Sequence, residues 1–195
     1  MEEKIRRAFD ESIKVKRLFL ETYVHLIGEV ANVIANRLSQ GSKVILFGNG
    51  GSASDAAHIA AEFVNRYMLE RPPLPAIALN TDMSVITSIS NDYDFKEVFA
   101  KQLRALGNEG DVVIAISTSG NSPNVLSAIE VAKKKKLITV GLTGAKGNNF
   151  CSMVDYAFQV PSTETPRIQE THITLAHVIC QMVEEILFKI PGQTD

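Results

Sequence analysis

The sequence lacks a strong net charge, a metal-site cysteine pattern and a long apolar run, and each absence excludes a class of protein. A net charge of −2 gives no global basic field for a nucleic-acid backbone. The two cysteines, Cys151 and Cys180, lie far apart, which is typical of thiols in a reducing cytosol. No apolar run approaches the ~20 residues that span a bilayer, and the charged N-terminus lacks a signal core. We therefore expect a cytoplasmic protein without membrane or direct nucleic-acid partners.

Short apolar runs alternate with helical stretches after Gly41, a pattern typical of an α/β protein. A helical segment precedes them over residues 2–39, with an expected break or bend at Gly28. The apolar runs predict strands at 43–48, 75–79, 111–117, 137–143 and 156–160. Helices are predicted at 52–69, 82–89, 94–106, 122–136 and 167–189. Continuously apolar strands between helices indicate a parallel sheet covered on both faces, within one domain.

Two polar loops follow strands of this sheet, where a doubly wound fold binds its ligands. The first is GNGGS at 48–52, and the second is STSGNS at 117–122. Both lead into helix N-termini, whose free N–H groups and dipole favour an anion. The loops offer hydroxyl donors to phosphate oxygens but no lysine, and the sequence has no Walker A motif. The hydroxyl donors are those of Ser52, Ser117, Thr118, Ser119 and Ser122.

Three interpretations of the first loop remain open from the residues alone. It can be a tight strand-to-helix turn capped by Ser52. It can also be a dinucleotide fingerprint, but the next strand ends in Asn80 where an acidic residue would bind ribose. The third interpretation is a site for one phosphate on a small molecule. The second hydroxyl-rich loop favours this third interpretation.

Four side chains on two helices could carry chemistry. His58 and Glu62 are four residues apart and share a helix face, although such a pair is often only an exposed hydrogen bond. Gln169 and His177 differ by ~80° around the last helix and by ~12 Å along it. They could share one ligand by leaning together, through a neighbouring subunit, or through an irregular helix start. His172 lies about 140° from His177 and is expected to face elsewhere.

Asn91 and Asp92 form a further candidate pair after a serine-rich turn. Asp92 could hydrogen-bond sugar hydroxyls. The alternative is a helix N-cap region before helix 94–106.

Four stretches of the sequence together resemble the phosphoheptose isomerases of the sugar isomerase (SIS) domain family. They are GNGGSASDAAHIAAEF, NDY, AISTSGNSPNV and RIQETHITLAH, in the family's order and spacing. The likeness covers nearly the whole chain and implies a three-layer α/β sandwich with a flavodoxin-like, doubly wound parallel sheet. It implies one SIS domain over 1–195, made of a helical segment at 1–40 and a core at 41–195 that ends in a helix. It also implies a homotetramer with sites between subunits.

The resemblance implies an aldose–ketose isomerase that converts sedoheptulose 7-phosphate to D-glycero-D-manno-heptose 7-phosphate through an enediol, toward lipopolysaccharide or other surface heptose. By position, Glu62 and His177 match the acid–base residues. His58, Glu62, Gln169 and His177 match the ligands of a zinc ion, expected once per subunit. The implied substrate-binding residues are Asn49, Gly50, Gly51, Ser52, Glu62, Asn91, Asp92, Ser117, Thr118, Ser119, Ser122 and Gln169.

The chain also resembles a SIS tetramer of another class, which binds the replication initiator DnaA and is not known as an enzyme. RPPLPAIALNTD and NDYDFKEVFAKQLRALG look as much like that protein as like the isomerases. His177 and Ser119 favour the isomerases, because the initiator-binding protein lacks that histidine and has a larger residue at the serine position. A third alternative is a sugar-phosphate-sensing SIS domain, against which the lack of a DNA-binding segment counts.

Overall fold

The computed structural model describes residues 1–188, and its centre is one sheet of five parallel strands. The strands are β1 (Val44–Gly48), β2 (Ala76–Ala78), β3 (Val112–Ser117), β4 (Ile138–Gly144) and β5 (Tyr156–Val160). Their spatial order is β2-β1-β3-β4-β5. The order reverses between β1 and β3, and Gly48 pairs with Ile116 at their carboxyl ends. The two polar loops therefore leave neighbouring strands at the topological switch point, where open α/β sheets bind ligands.

Helices cover both faces of the sheet. They are α1 (Glu2–Ser39), α2 (Gly51–Val64), α3 (Met83–Asp92), α4 (Val98–Leu106), α5 (Pro123–Lys134), α6 (Asn148–Cys151) and α7 (Thr165–Phe188), with a 3₁₀ turn at Phe95–Glu97. The predicted strands all form, each within two residues of its expected bounds. The last predicted helix reached 189, and that residue lies outside the described part of the chain.

Two apolar clusters, one on each face of the sheet, hold the helices. Successive strand residues point to opposite faces, so Leu46 and Ile114 pack with α1, α2 and α7. Ile45 and Val113 instead pack with residues of α3, α4, α5 and α6. The three-layer α/β architecture predicted for the chain is confirmed.

Helix α2 is shorter than the sequence predicts, because a buried ion pair takes over its C-terminal groups. The predicted helix ran over 52–69, whereas α2 ends at Val64. The guanidinium of Arg71 donates to carbonyls in its last turn. The N–H groups of residues 67–69 donate to the carboxylate of Glu184 and not to helix carbonyls. These tertiary contacts override the local helical pattern.

Three other local predictions are wrong. Gly28 does not break the first helix, because α1 continues through it without interruption. Helix α3 extends to Asp92 and not only to residue 89. Helix α5 ends at Lys134, two residues early, because Lys136 adopts a φ of 58° in the left-handed region, which a helix excludes. The short helix α6 was not predicted.

Helix α1 is apolar along much of its length. By length and composition alone, it is long and apolar enough to cross a membrane. The core helices of globular proteins are often equally apolar, and Phe19, Val30 and Ile34 are buried in the core of this protein.

Candidate active site

The glycines of the first loop let the chain turn sharply and let another helix approach. Gly50 is the N-cap of α2 and has a φ of 56°, a conformation that glycine adopts without a steric penalty. A Cβ on Gly51 would lie 2.4 Å from Nε2 of Gln169, so the side-chain amide of Gln169 on α7 lies directly against this glycine. Ser52 is buried inside the first turn of α2, so the interpretation of Ser52 as the cap is wrong.

Asn80, which follows β2, holds the end of β1 in place. Its Nδ2 donates to the carbonyl of Gly48 at 2.7 Å, and its Oδ1 accepts from the Gly48 N–H at 3.4 Å. An amide with these main-chain partners is not the acidic ribose ligand of a dinucleotide site. The geometry therefore gives no support to the dinucleotide interpretation.

The second loop presents several hydroxyls beside the first loop. Ser117 ends β3, and its Oγ lies 3.0 Å from Oγ of Ser122, the N-cap of α5. Ser119 is exposed, and its Oγ accepts from the N–H of Asn121 at 3.2 Å. Thr118 and Ser119 line a polar pocket of about 160 Å³. A small anionic group fits such a pocket.

Two functional candidates near these loops were missed from the sequence. Asn124 exchanges two amide hydrogen bonds with Asn49, both 2.9 Å long, and so joins the loops. Its position two residues after Ser122, in the first turn of α5, was the available signal. Lys146 lines the polar pocket from the loop after β4. Its signal was that β4 neighbours β3, so the loops after both strands lie side by side.

One chain alone brings three of the four chemical candidates together. Nε2 of His58 lies 3.0 Å from Oε1 of Glu62. One ligand atom each of His58, Glu62 and His177 lie within 4.8 Å of one another. The rings of His58 and His177 are 5.0 Å apart, and the ring of Tyr67 is 5.4 Å from that of His177. The exposed hydrogen bond expected for His58 and Glu62 exists, and it belongs to this larger cluster.

Gln169 lies at the other end of the contact between α2 and α7. It touches Gly51 at the start of α2, whereas His177 lies beside His58, two turns further along. The two helices therefore run side by side in the same direction. An irregular start of the last helix, one of the alternatives considered, is wrong, because α7 is helical from Thr165.

Burial lowers the pKa of His177, and the nearby His58 lowers it further, while the carboxylate of Glu62 raises it. The pKa of His177 therefore lies below the ordinary histidine value, and the ring is neutral at pH 7. A neutral imidazole can accept a proton or bind a metal ion. Two imidazoles and a carboxylate this close can therefore move protons or hold a divalent cation.

His172 faces the sheet and not the cluster. It is 1% exposed, and its Nε2 lies 3.2 Å from the carbonyl oxygen of Thr143. Burial lowers its pKa to about 4. Its Nδ1 and Oδ2 of Asp55 are buried without hydrogen-bond partners within residues 1–188, and both residues line an apolar cavity of about 10 Å³. The expectation that His172 points away from His177 is confirmed.

Asn91 and Asp92 lie exposed at the C-terminal end of α3. Nδ2 of Asn91 donates to Oδ1 of Asp92 at 2.8 Å, and across the described chain no hydrogen bond joins either residue to the two loops. The alternative of an N-cap role does not apply to these two residues, because Asp94 caps the following 3₁₀ turn through the N–H of Lys96.

Comparisons with known proteins agree with this architecture. The SIS domain family matches residues 9–144. A phosphoheptose isomerase from Thermodesulfovibrio yellowstonii is 62% identical over 98% of this chain and 96% of that protein. One from Aquifex aeolicus is 51% identical over 96% of this chain and 98% of that protein. The solved structure of a phosphoheptose isomerase from Neisseria gonorrhoeae superposes with a TM-score of 0.89 at 41% identity, over 94% of this chain and 98% of that one.

These relatives do not favour the initiator-binding alternative, since they carry the name of the enzyme over nearly the full length of both chains. The family match and the shared fold agree with the motifs found in the sequence. The chain therefore belongs to the SIS domain family, within the group of the phosphoheptose isomerases.

Proposed function

We propose that this chain is an aldose–ketose isomerase that converts sedoheptulose 7-phosphate to D-glycero-D-manno-heptose 7-phosphate. One observation carries the proposal: a carboxylate and an imidazole, those of Glu62 and His177, lie in one cluster on α2, which begins at the glycine loop, and on α7, which packs beside it. Isomerisation moves one proton between C1 and C2 through an enediol and moves others between the two oxygens. Both tasks need a general base and a proton shuttle within reach of adjacent carbons.

The substrate phosphate would bind at the two loops and the N-termini of α2 and α5. Backbone N–H groups and serine hydroxyls suit its oxygens, and Lys146 lines the same region. The phosphate is on C7, the end of the sugar farthest from the reacting carbons. The loop and the acid–base cluster likewise occupy opposite ends of the α2–α7 contact. The proposed phosphate contacts are Asn49, Gly50, Gly51, Ser52, Ser117, Thr118, Ser119 and Ser122.

In this mechanism, Glu62 removes the proton from C1 of the ketose and returns it to C2 of the aldose. His177 moves a proton between the oxygens on the same two carbons. In the metal-free protein its lowered pKa keeps the ring neutral, so one nitrogen can accept a proton while the other donates. Gln169, against the glycine loop, would contact the sugar between the phosphate and the cluster. Asn91 and Asp92 would bind sugar hydroxyls.

The cluster also suits a zinc ion. Histidine nitrogens and carboxylate oxygens are zinc ligands, and those of His58, Glu62 and His177 converge within 4.8 Å. We propose these three residues as ligands of one zinc ion per subunit, with Gln169 of a neighbouring subunit as the fourth, since Gln169 of the same chain lies at the other end of the α2–α7 contact. When bound, zinc acts as a Lewis acid that stabilises negative charge on the sugar oxygens.

We further propose a cytoplasmic homotetramer with active sites between subunits, which supplies heptose for lipopolysaccharide or another surface polymer. Ile5, Phe9 and Ile13 on α1 are 53%, 69% and 55% exposed. Exposed apolar side chains in one row are typical of a surface that packs against another subunit.

The test is an assay with sedoheptulose 7-phosphate, followed by NMR for the aldose product. Purified protein is compared after chelation and after zinc is added back. We expect aldose to form, with a higher rate after zinc addition. Absence of aldose in both conditions, with the fold and assembly intact, would contradict the proposed function.

A further inference from the structure

A buried ion pair lies next to the acid–base cluster and has no part in the reaction described above. The side chains of Arg71 and Glu184 are 1% and 2% exposed, and Nε of Arg71 lies 2.9 Å from Oε1 of Glu184. Arg71 follows α2 in the chain, and Glu184 lies on α7. The pair therefore connects the two helices that carry the cluster.

Arg71 holds the end of the helix that carries Glu62. Its Nη2 donates to the carbonyl of Glu62 at 2.8 Å, and its Nη1 donates to the carbonyl of Phe63 at 2.8 Å. These are carbonyls in the last turn of α2, which lack partners within the helix. A cation there also interacts favourably with the helix dipole. The guanidinium thus fixes the main chain that carries the Glu62 carboxylate.

Glu184 holds the segment that follows α2. One carboxylate oxygen accepts from the N–H of Tyr67 at 2.7 Å. The other accepts from the N–H groups of Met68 and Leu69, both at 2.9 Å. The segment is thereby fixed with the Tyr67 ring against His177. Burial raises the pKa of Glu184, but the three N–H donors and Arg71 together lower it by more. The net pKa lies below the ordinary glutamate value, so the carboxylate stays charged.

Stability alone does not explain a buried ion pair, since well-packed apolar residues of similar volume often stabilise a protein as well or better. Unlike apolar packing, this pair makes directional hydrogen bonds. They reach the main chain of Glu62 on one side and of Tyr67 on the other. Both residues lie next to His177.

We propose that Arg71 and Glu184 are positioning residues of the isomerase reaction, a role that rests on the proposed function. They fix the carboxylate of Glu62 and the ring of Tyr67 against His177. Neither residue touches the reacting atoms, so the pair acts on the rate through geometry.

The test compares Glu184→Gln with Asp111→Asn. Asp111 is a matched control, because its buried carboxylate also accepts from Lys43 and from two backbone N–H groups, but none of its hydrogen bonds within residues 1–188 reaches α2 or α7. Each amide turns an N–H donor toward another N–H group. We expect Glu184→Gln to lower kcat by about 10- to 100-fold, since small misplacements of reacting groups cost this much. The KM of both variants and the kcat of Asp111→Asn should stay within about twofold of the native values.

Crystal structures of both variants give a readout independent of turnover. Glu62 and Tyr67 should move relative to His177 in Glu184→Gln and stay in place in Asp111→Asn. If Glu184→Gln does not fold, Arg71→Lys serves instead, because one ammonium group cannot reach both carbonyls and the carboxylate.

A variant that keeps native kcat, or that loses no more than Asp111→Asn, would overturn the positioning role. Unmoved Glu62 and Tyr67 would overturn it as well. If the native protein shows no turnover, the proposed function fails, and the two variant structures still decide whether the pair fixes the cluster.

Discussion

At the scale of single residues, burial determines which histidine can do chemistry. His177 is half-buried beside a carboxylate and a second imidazole, so it can exchange protons with a ligand. His172, five residues earlier on the same helix, is enclosed by the sheet and bonded to a carbonyl. Its low pKa therefore affects stability and not catalysis.

The buried His172 predicts a pH-dependent stability. Burial lowers its pKa to about 4 in the folded protein, whereas the unfolded chain takes up the proton near 6.5. Its full contribution is thus present above pH 6.5 and is lost as the pH falls toward 4. At pH 5 the loss is about 2 kcal/mol.

Urea unfolding of the native protein and His172→Gln at pH 7.5 and pH 5 measures this loss. The variant, which cannot titrate, should lose about 2 kcal/mol less between the two pH values than the native protein. An equal loss in both proteins would mean that His172 is not the group responsible.

At the scale of helices, strands and loops, apolar runs predicted the sheet well, because the runs are short and those of β1, β3 and β5 each follow a charged residue. The end of α2 could not be predicted, since it depends on Glu184, more than a hundred residues away. The functional site, too, was predictable only where it depends on residues close together in the sequence. The sequence placed His58 and Glu62 on one helix face, but the alignment of α7 along α2 depends on tertiary packing between segments far apart in the chain.

The link between the two loops gives a prediction for substrate binding. Asn124→Ala removes both amide bonds to Asn49 and leaves that amide without its partner. We expect a stability loss of about 1–3 kcal/mol and a higher KM, because the loops that hold the phosphate are no longer joined.

Steady-state kinetics and thermal unfolding of Asn124→Ala measure both effects. Asn121→Ala is the control, since Asn121 is exposed in the same loop and, among residues 1–188, only its backbone N–H is bonded, to Ser119. A native KM in Asn124→Ala would show that the amide pair does not support phosphate binding.

At the scale of the whole molecule, the apolar row on α1 indicates an assembly. Phe9→Glu places a charge on this row, where Phe9 is 69% exposed. We expect the variant to form smaller species than the native protein and to lose turnover, because the sites would lie between subunits.

Light scattering coupled to size-exclusion chromatography measures the change, with Lys14→Gln as a control of equal charge change on an exposed position of α1. A monomeric native protein, or a Phe9→Glu variant that assembles normally, would contradict the proposal that this apolar row packs against another subunit.

The most direct test of the account is the turnover of Glu62→Gln with sedoheptulose 7-phosphate. The amide keeps the size of the side chain but cannot take the proton from C1. We expect kcat to fall by about 100-fold or more, with the fold and the assembly unchanged. Native turnover in this variant would contradict the assignment of Glu62 as the base, and with it the mechanism built on the cluster of His58, Glu62 and His177.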